Sequence, residues 1–512
     1  MSEKSFSIPL AVSAVLKTLS DTGFQAFVVG GCVRDVLSGT KPKDWDVTTN
    51  ATPEQTQELF PDSFYENRFG TVGVKTLPFL DGGKEDRGHD VIEVTTFRNE
   101  SGYSDTRRPD TVTFVNAVEE DLARRDFTMN AIALSFSNSF LSTLSNDVMT
   151  VSGWTTVLSS DFSIVDPFSG QADIDAKVIR AVGNPDERFS EDALRMMRAV
   201  RFAAQLGFVI GEKTSASILK HSELLKKIAA ERVRDELSKI ILSPEPSSGI
   251  RAMEKLGLLQ HVIPELMEGI GVMQNLHHTY SVYDHNLRAL DMCPSKKLTV
   301  KLAALFHDIA KPRTKRGNGK RSTFYNHEHL GARMTRKRLE LLHYPKDIVE
   351  KVTLLVDSHM FYYNVNEVTE SSVRRLIKKV GLENMRDLVQ LRIGDRLGSG
   401  VPKAKPYRLR HFEYMVEKVS KDPVSVKMLK LNGDIMIKDL GFSPGPKIGA
   451  ILDTLLAEVI EDPLKNTLEH LSLRAKELDE HDLSSLRALA KKRIEEQRAH
   501  DEASIKKKHH VQ

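Results

Sequence analysis

The stretch Phe27 to Phe60, FVVGGCVRDVLSGTKPKDWDVTTNATPEQTQELF, constrains this chain more than any other. Its apolar opening, Phe27-Val28-Val29, is short and β-branched, which predicts a buried strand. Gly30-Gly31 breaks that run, and Cys32 to Leu37 begins a helix. Two glycines let the backbone approach a ligand closely, and the free N–H groups of a helix start suit a phosphate. A second strand is predicted to carry Asp44-Trp45-Asp46. Residues two apart on a strand share a face, so both carboxylates point the same way. Two aligned carboxylates facing a glycine turn make a magnesium site for phosphoryl transfer. Alone, Gly-Gly reads as a turn and Asp-x-Asp as solvated surface; their conjunction at this spacing is the specific signal.

At 512 residues the chain has room for three or four domains. With 40% hydrophobic and 28% charged residues it has the composition of a globular protein. The net charge of +3 means that any nucleic-acid surface must arise from local clustering. Two cysteines, Cys32 and Cys293, exclude a disulfide framework and a cysteine zinc site. No apolar run approaches the ~18 residues of a membrane span. The first residues, MSEKSFSIPL, lack a signal-peptide core, so a cytoplasmic location is the default expectation.

GGCVRD followed by DWDVTT resembles the head of polymerase β-type nucleotidyltransferases. The closer resemblance is to class II tRNA nucleotidyltransferases (CCA-adding enzymes) and bacterial poly(A) polymerases. It covers about residues 20 to 460 and implies an α+β chain. A nucleotidyltransferase head with a mixed sheet and helices (1–150) is followed by a helical neck and body (151–272). An HD domain (273–400) and a helical, tRNA-contacting tail (401–512) complete it. It further implies that Asp44 and Asp46 hold catalytic Mg²⁺ while Gly30, Gly31 and Arg34 face a triphosphate.

Residues 8 to 22 are predicted helical. Thr52-Pro53-Glu54-Gln55 reads as a capped helix start, with Gln55 closing a capping box. Thr71 to Val74 and Val91 to Thr96 read as strands joined by the Gly-rich Asp81 to His89. Glu93, on the second strand, is a candidate third carboxylate, and the resemblance places an acidic residue there. Tyr103 to Phe114, polar and basic, reads as an exposed loop. In the family such a loop orders around nucleotide and primer, which makes Arg107, Arg108 and Asp110 candidates after closure. In DLARRDFTMNA, Arg124 and Arg125 suit a phosphate clamp and Asp126 a ribose hydroxyl. The match to the family's RRDFTINA implies that Asp126 senses the 2′-OH.

Strand signals thin out from Asp161. Ser190 is a predicted N-cap, with Glu191 and Asp192 in the first turn of a helix. Asp192 and Arg195, three apart, project from neighbouring positions. Cytosine and adenine both present an exocyclic amine beside a ring acceptor on the Watson–Crick edge; uracil and guanine do not. One Asp–Arg pair therefore accepts CTP and ATP and rejects UTP and GTP without a template. The pair matches the family's EDxxR, and Arg198 is placed in the same nucleotide site by resemblance. Glu231 to Leu237, ERVRDEL, resembles the segment that props the base-reading helix.

His285 in YDHNL, His307-Asp308 in LAALFHDIAKP and Asp395 in RIGDRLG then set a different chemistry. An adjacent His-Asp pair on an apolar helix, with a histidine upstream and an aspartate far downstream, resembles the HD metal-dependent phosphohydrolases. That resemblance makes these four the ligands of a divalent metal such as Ni, Mn or Mg. His327, His329 and His359 are candidates to orient phosphate or extend the site to two metals. Leu431 to Pro446 reads as a Gly/Pro-rich linker. The basic stretch from Ser485 reads as a solvated tail.

These features imply an enzyme that adds C and A to tRNA 3′ ends from CTP and ATP, with an accessory phosphohydrolase; no protein partner is evident. A CC-adding or A-adding enzyme, a poly(A) polymerase, an HD phosphohydrolase and a non-catalytic RNA-binding protein are the alternatives. The intact HD ligands and ENRFGTVGV, standing where a poly(A) polymerase carries a basic signature, speak against the polymerase.

Overall fold

The computed structural model describes residues 5–511, apart from 68–69, 79–88, 102–110, 146, 148–152, 276–278, 366, 401–404, 421–425 and 427–428. The loop candidates Arg107, Arg108 and Asp110, and most of the Asp81 to His89 connection, lie outside the described residues.

The head is a mixed seven-stranded sheet. Its spatial order is Phe162–Val165, Ala133–Phe136, Ala26–Val29, Asp46–Thr49, Asp90–Thr96, Thr71–Thr76, Ser63–Asn67. The Asp46–Thr49 and Asp90–Thr96 strands run parallel, and the other neighbours are antiparallel. Between the parallel pair the chain makes the helix Pro53–Leu59 and a hairpin, as a parallel connection requires a crossover. Thr52 starts that helix with the expected capping box: its Oγ1 accepts from the Gln55 N–H, and Gln55 Oε1 accepts from the Thr52 N–H at 2.9 Å. The first helix, Leu10–Asp21, follows a short strand, Phe6–Pro9, so residues 8 and 9 are extended.

Two expectations for the head are corrected. The strand begins at Asp46, and Asp44 lies in the exposed bend before it. Lys41-Pro42-Lys43 explains this, because proline has no N–H to give a ladder. Strand structure also continues past Asp161, where Phe162–Val165 closes the sheet edge against Ala133–Phe136.

The rest is helical. The neck helix Leu194–Leu206 packs on Ala230–Ile241 and Pro246–Lys255. One apolar core runs from Ile8 through the neck to Phe412. The tail has its own core, from Leu429 to Leu486. The predicted linker contains a helix, Gly433–Lys438, because Asn432 Oδ1 caps it by accepting from Ile435 N–H at 2.9 Å. The basic C-terminal stretch is not a solvated tail either. It forms the helix Leu483–Lys508, whose end is pinned to Tyr407–Ser420. There Tyr414 donates to Glu502 at 2.6 Å, and Lys508 and His509 reach Glu417 at 2.8 Å. Among the described residues no helix is long and apolar enough to cross a membrane.

Two glycines set a helix contact that matters below. A Cβ on Gly394 or Gly398 would stand 2.8 Å from the Ala289 O or N, so Leu382–Gly398 rides directly on the backbone of Val282–Met292. The first helix carries Asp395 and the second His285. Gly394→Ala is expected to cost about 1–3 kcal/mol by overpacking. It should shift the Asp395 helix against the His285 helix without changing either residue, and urea unfolding of the purified variant would read the cost.

Candidate functional site

In the head, the turn brings charge to one point. Gly30 has φ +82°, and a Cβ there would lie 3.1 Å from Arg125 Nη1 and 3.3 Å from Asp46 Oδ2. The glycine thus leaves an open cradle with a guanidinium and a carboxylate on its rim. Asp46 stands directly opposite Glu93 in the parallel ladder, so the two acids share a face of the sheet. Both are at least partly exposed, although Val47 and Val94 beside them are buried. The donor set, two carboxylates at an open cradle with Asp44 two residues upstream, suits a hard divalent cation.

Arg124 and Arg125 are held from behind by Asp121, a residue to which the sequence reading gave no role. Asp121 is fully buried; its Oδ1 accepts from Arg124 at 2.7 Å and its Oδ2 from Arg125 at 3.2 Å. Burial pushes its carboxyl pKa up, but the two guanidinium charges outweigh it and hold the pKa below the ordinary value. The resulting stability is full above the unfolded value near pH 4 and is lost as pH falls through the lower folded value. Asp121→Ala leaves two cations without their buried partner and is expected to cost about 3 kcal/mol in urea unfolding. The i,i+3 and i,i+4 spacing to the arginines was the available signal.

Behind the glycine turn runs a hydrogen-bonded chain. Arg34, predicted to face the triphosphate, is buried; it donates to Asp35 at 2.6 Å and to Asn130 at 2.9 Å. Gly31 borders it, with Arg34 Nη2 3.6 Å from where a Cβ would be. Asn130 donates to Asp126, and Asp126 binds Arg198 at 2.6 Å. Burial raises the Asp126 pKa, and Arg198 more than reverses it, so the acid is held ionised. Arg34, Arg198 and Arg201 all lie over the Phe202 ring, at 5.3, 5.6 and 4.3 Å from its centroid. Phe202 therefore locks the head to the neck helix.

At the neck helix the predicted cap is wrong. Ser190 belongs to the preceding helix, Pro185–Glu191, where its hydroxyl donates to Asp186 O. Asp192 is extended, and its Oδ1 accepts from Leu194 N–H at 3.0 Å, so Asp192 itself holds the helix start. Asp192 and Arg195 do not form the i,i+3 salt bridge with each other that a plain surface pair would make. Asp192 binds Arg232 of the ERVRDEL segment at 2.8 Å, which is the propping role expected of that segment. Arg195 binds Glu191 at 2.8 Å and donates to Arg124 O at 3.2 Å, tying EDxxR to RRDF.

The second centre is buried among helices. His285 Nε2 lies 3.2 Å from Asp308 Oδ2 and 3.3 Å from Asp395 Oδ1, and His307 Nε2 lies 3.3 Å from Asp308 Oδ2. On its other oxygen, Asp308 Oδ1 faces His327 Nε2 at 3.1 Å and His359 Nε2 at 3.6 Å. Asp308 thus bridges two clusters of potential ligands. The Nδ1 atoms of His307, His327 and His359 meet the carbonyls of Ala304, Phe324 and Val356 at 2.9, 2.7 and 2.7 Å. Those contacts assign the proton to Nδ1 and turn the Nε2 lone pairs inward, towards the carboxylates. Lone pairs converging on carboxylate oxygens, with Asp308 Oδ1 and the Nε2 atoms of His327 and His359 buried without a hydrogen bond, ask for cations between them. At His307 burial opposes a charge, but Asp308 and Asp395 push its pKa up to about 10, so a proton and a metal ion compete for the same Nε2 lone pair.

His329 is not part of this centre; its side chain is exposed and binds Asp357. Lys311 and Arg392 escaped the sequence reading. Lys311 reaches Asp308 at 2.5 Å and Gln274 at 2.7 Å, and Arg392 binds Asp395 at 2.6 Å. Their i,i+3 spacing from the two aspartates was the signal that marks them. A cavity of about 570 Å³, which Asp308, His327, His359, Lys311, Arg392 and Arg396 help to line, opens onto the centre.

Comparison with known proteins finds matches over both the head and the histidine–aspartate region. Residues 26–180 match the poly A polymerase head domain and 207–270 the RNA- and SrmB-binding site of polymerase A. Residues 275–393 match the HD domain, and 335–474 match tRNA nucleotidyltransferase domain 2. A CCA-adding enzyme of Limosilactobacillus fermentum is 33% identical over 470 residues, 91% of this chain and 96% of that one. That of Lactobacillus helveticus is 47% identical over 231 residues, 45% of this chain and 49% of the relative. The chain spans about half the length of several such relatives. The crystal structure of the Bacillus stearothermophilus CCA-adding enzyme in complex with CTP has the same fold. It gives a TM-score of 0.54 at 24% identity, over 92% of this chain and 97% of that one. With 33% identity over nearly the full length of one relative and the head and HD families matched in chain order, the chain belongs to the family of CCA-adding enzymes.

Proposed function

We propose that this protein adds C and A to the 3′ end of tRNA from CTP and ATP without a template, in the cytoplasm. The supporting observation is the cradle at Gly30, bounded by Asp46 and Arg125 and backed by Glu93. Asp44 and Asp46, with Glu93 beside them, would hold Mg²⁺, which supplies charge neutralisation at the triphosphate and lowers the cost of ionising the primer 3′-OH. Arg124 and Arg125, oriented by Asp121, bind the phosphates. Arg34 acts from behind, fixing Asn130 and through it Asp126, which accepts the ribose 2′-OH. Asp192 accepts the exocyclic amine of the base and Arg195 donates to the ring acceptor, while Arg232 and Glu191 set their positions. The helical tail, 401–512, would contact the tRNA, and the HD domain, 273–400, adds a second centre.

The decisive experiment supplies Mg²⁺ and tRNAs ending before C, after C and after CC, with CTP and ATP separately. Addition of two C and one A, then arrest, supports the reading. Only C, or only A on the CC end, identifies a split-function enzyme; long A runs identify a poly(A) polymerase. Asp192→Ala is expected to reduce discrimination against UTP and GTP by about 10–100-fold, since a hydrogen bond to a charged group is worth about 1.5–3 kcal/mol. Competition assays with paired nucleotides would measure it.

A specific observation favours a second activity. Asp308 and five potential ligands around its two oxygens fit a binuclear phosphohydrolase, with His285, His307 and Asp395 on one side and His327 and His359 on the other. Divalent ions held there, Mn²⁺, Ni²⁺ or Mg²⁺, supply the Lewis acidity that hydrolysis of a phosphate ester needs. Lys311 and Arg392 fix the two aspartates, and Arg396 adds positive charge to the cavity wall.

A further inference from the structure

Beside the cavity of the histidine–aspartate centre lies a second one, also about 570 Å³, a size suited to one small ligand. Arg392 and Arg396 line both, so the two spaces share a wall of guanidinium groups. The chain itself forces this adjacency. Two residues after the buried His359 come three consecutive aromatics, Phe361, Tyr362 and Tyr363, and all three line the second cavity. Tyr407 and Arg408, at the start of the helix Tyr407–Ser420, face them.

The lining has one chemical character. Phe361 stacks on buried Phe412, with centroids 4.6 Å apart at 25°, and makes a firm aromatic floor. Tyr362, by contrast, is 68% exposed, and its hydroxyl is tethered: it accepts from Asn364 Nδ2 at 2.6 Å and donates to Glu367. A large aromatic ring held in one orientation in water is a preorganised stacking surface. Among the described residues, three arginines and no carboxylate line this cavity. Arg392 is partly engaged by Asp395, while the Arg396 Nε is buried without a hydrogen-bond partner. Flat aromatic faces interleaved with arginine are the composition of sites that stack a nucleobase and hold its phosphate.

We propose that this second cavity is a nucleoside subsite, with the base on Tyr362 and Tyr407, Arg408 beside it, and the phosphate between Arg392 and Arg396. The assignment rests on reading the adjacent centre as a phosphohydrolase and names its substrate class: a phosphate carried by a nucleoside. Water forms the new P–O bond, the bond from phosphorus to the ribose oxygen breaks, and that oxygen leaves as a hydroxyl with a proton from the water. Inorganic phosphate is the co-product. Stacking tolerates any base, so uridine, which the head is proposed to reject, isolates this subsite.

The test uses the full-length, Mn²⁺-loaded protein and phosphate release from uridine 3′-monophosphate and from glycerol 2-phosphate, which has no base. The wild type is expected to prefer the nucleotide through a lower KM. Tyr362→Ala and Arg408→Ala should each lower the ratio of the two kcat/KM values about tenfold, through KM. Tyr362→Phe, which keeps the ring, should restore most of it. Equal loss on both substrates, or an unchanged ratio, overturns the subsite while leaving the phosphohydrolase reading intact. A uridine trinucleotide ending in a 3′-phosphate separates the two sources of the ligand. A lower KM than for the mononucleotide assigns an RNA end, and a higher one a free nucleotide; either supports the subsite. If no substrate releases phosphate, the phosphohydrolase reading fails. Equilibrium dialysis with uridine 3′-monophosphate then decides the subsite alone: binding that Tyr362→Ala abolishes supports it, and absence of binding by the wild type overturns it.

Discussion

Asp46→Asn is expected to lower magnesium-dependent nucleotide incorporation into tRNA by about 10³-fold or more, the equivalent of about 4 kcal/mol in the transition state. The magnitude follows from position. Asp46 opens its strand directly opposite Glu93 and across Gly30 from Arg125, so it is the acid around which the cradle is assembled. The amide keeps the shape and the strand pairing but removes the charge that a hard cation needs. A single-turnover assay on tRNA lacking its 3′ terminus, with CTP, measures the loss. Hydrolysis at the HD centre should be unchanged, which separates a local effect from misfolding. Full incorporation by the variant would remove the head mechanism.

Asp308→Asn is expected to have the largest effect at the other centre. Both ligand clusters use this carboxylate, one through each oxygen, so a single substitution should empty both positions. Metal content of the purified protein should fall to near zero, and phosphate release from a nucleotide should fall about 10³-fold. His327→Ala, which touches one cluster, should remove only part of the metal. Equal metal loss in both variants would argue for one shared ion in place of two. Nucleotide addition should survive either change, because no head residue contributes to this centre among the described contacts.

Much of the candidate site was legible because catalysis imposes short-range rules. Gly30-Gly31 before a helix, Asp44 and Asp46 two apart, RRDF, EDxxR and the adjacent His307-Asp308 are local patterns, each readable within a few residues. Capping is local too, and Thr52 and Gln55 formed the box that their spacing predicted. The misreadings share a cause. Ser190 has the chemistry of an N-cap, yet its helix ends at Glu191 and the next starts at Leu194, whose N–H donates to Asp192, itself bound by Arg232 of another helix. The basic C-terminal stretch looked solvated because its partners, Tyr414 and Glu417, lie more than 80 residues away.

The sequence by itself supplied the chemical groups: two carboxylates two residues apart after a glycine turn, an acid and a guanidinium three apart near a helix start, and an adjacent His-Asp. It also set the order of head, neck, HD domain and tail, since each motif lies within one contiguous stretch. Only the tertiary structure decided how the charges are shared. Asp192 and Arg195, three apart in the chain, turned out to be held by Arg232 and Glu191 in place of each other. Arg34 turned inward to Asn130, and Asp121 proved to anchor both arginines of RRDF. His327 and His359 joined Asp308, while His329, between them in sequence, faces solvent. Burying a charge is costly unless a partner is at hand, and partners are assigned by proximity in space, which spacing along the chain does not encode.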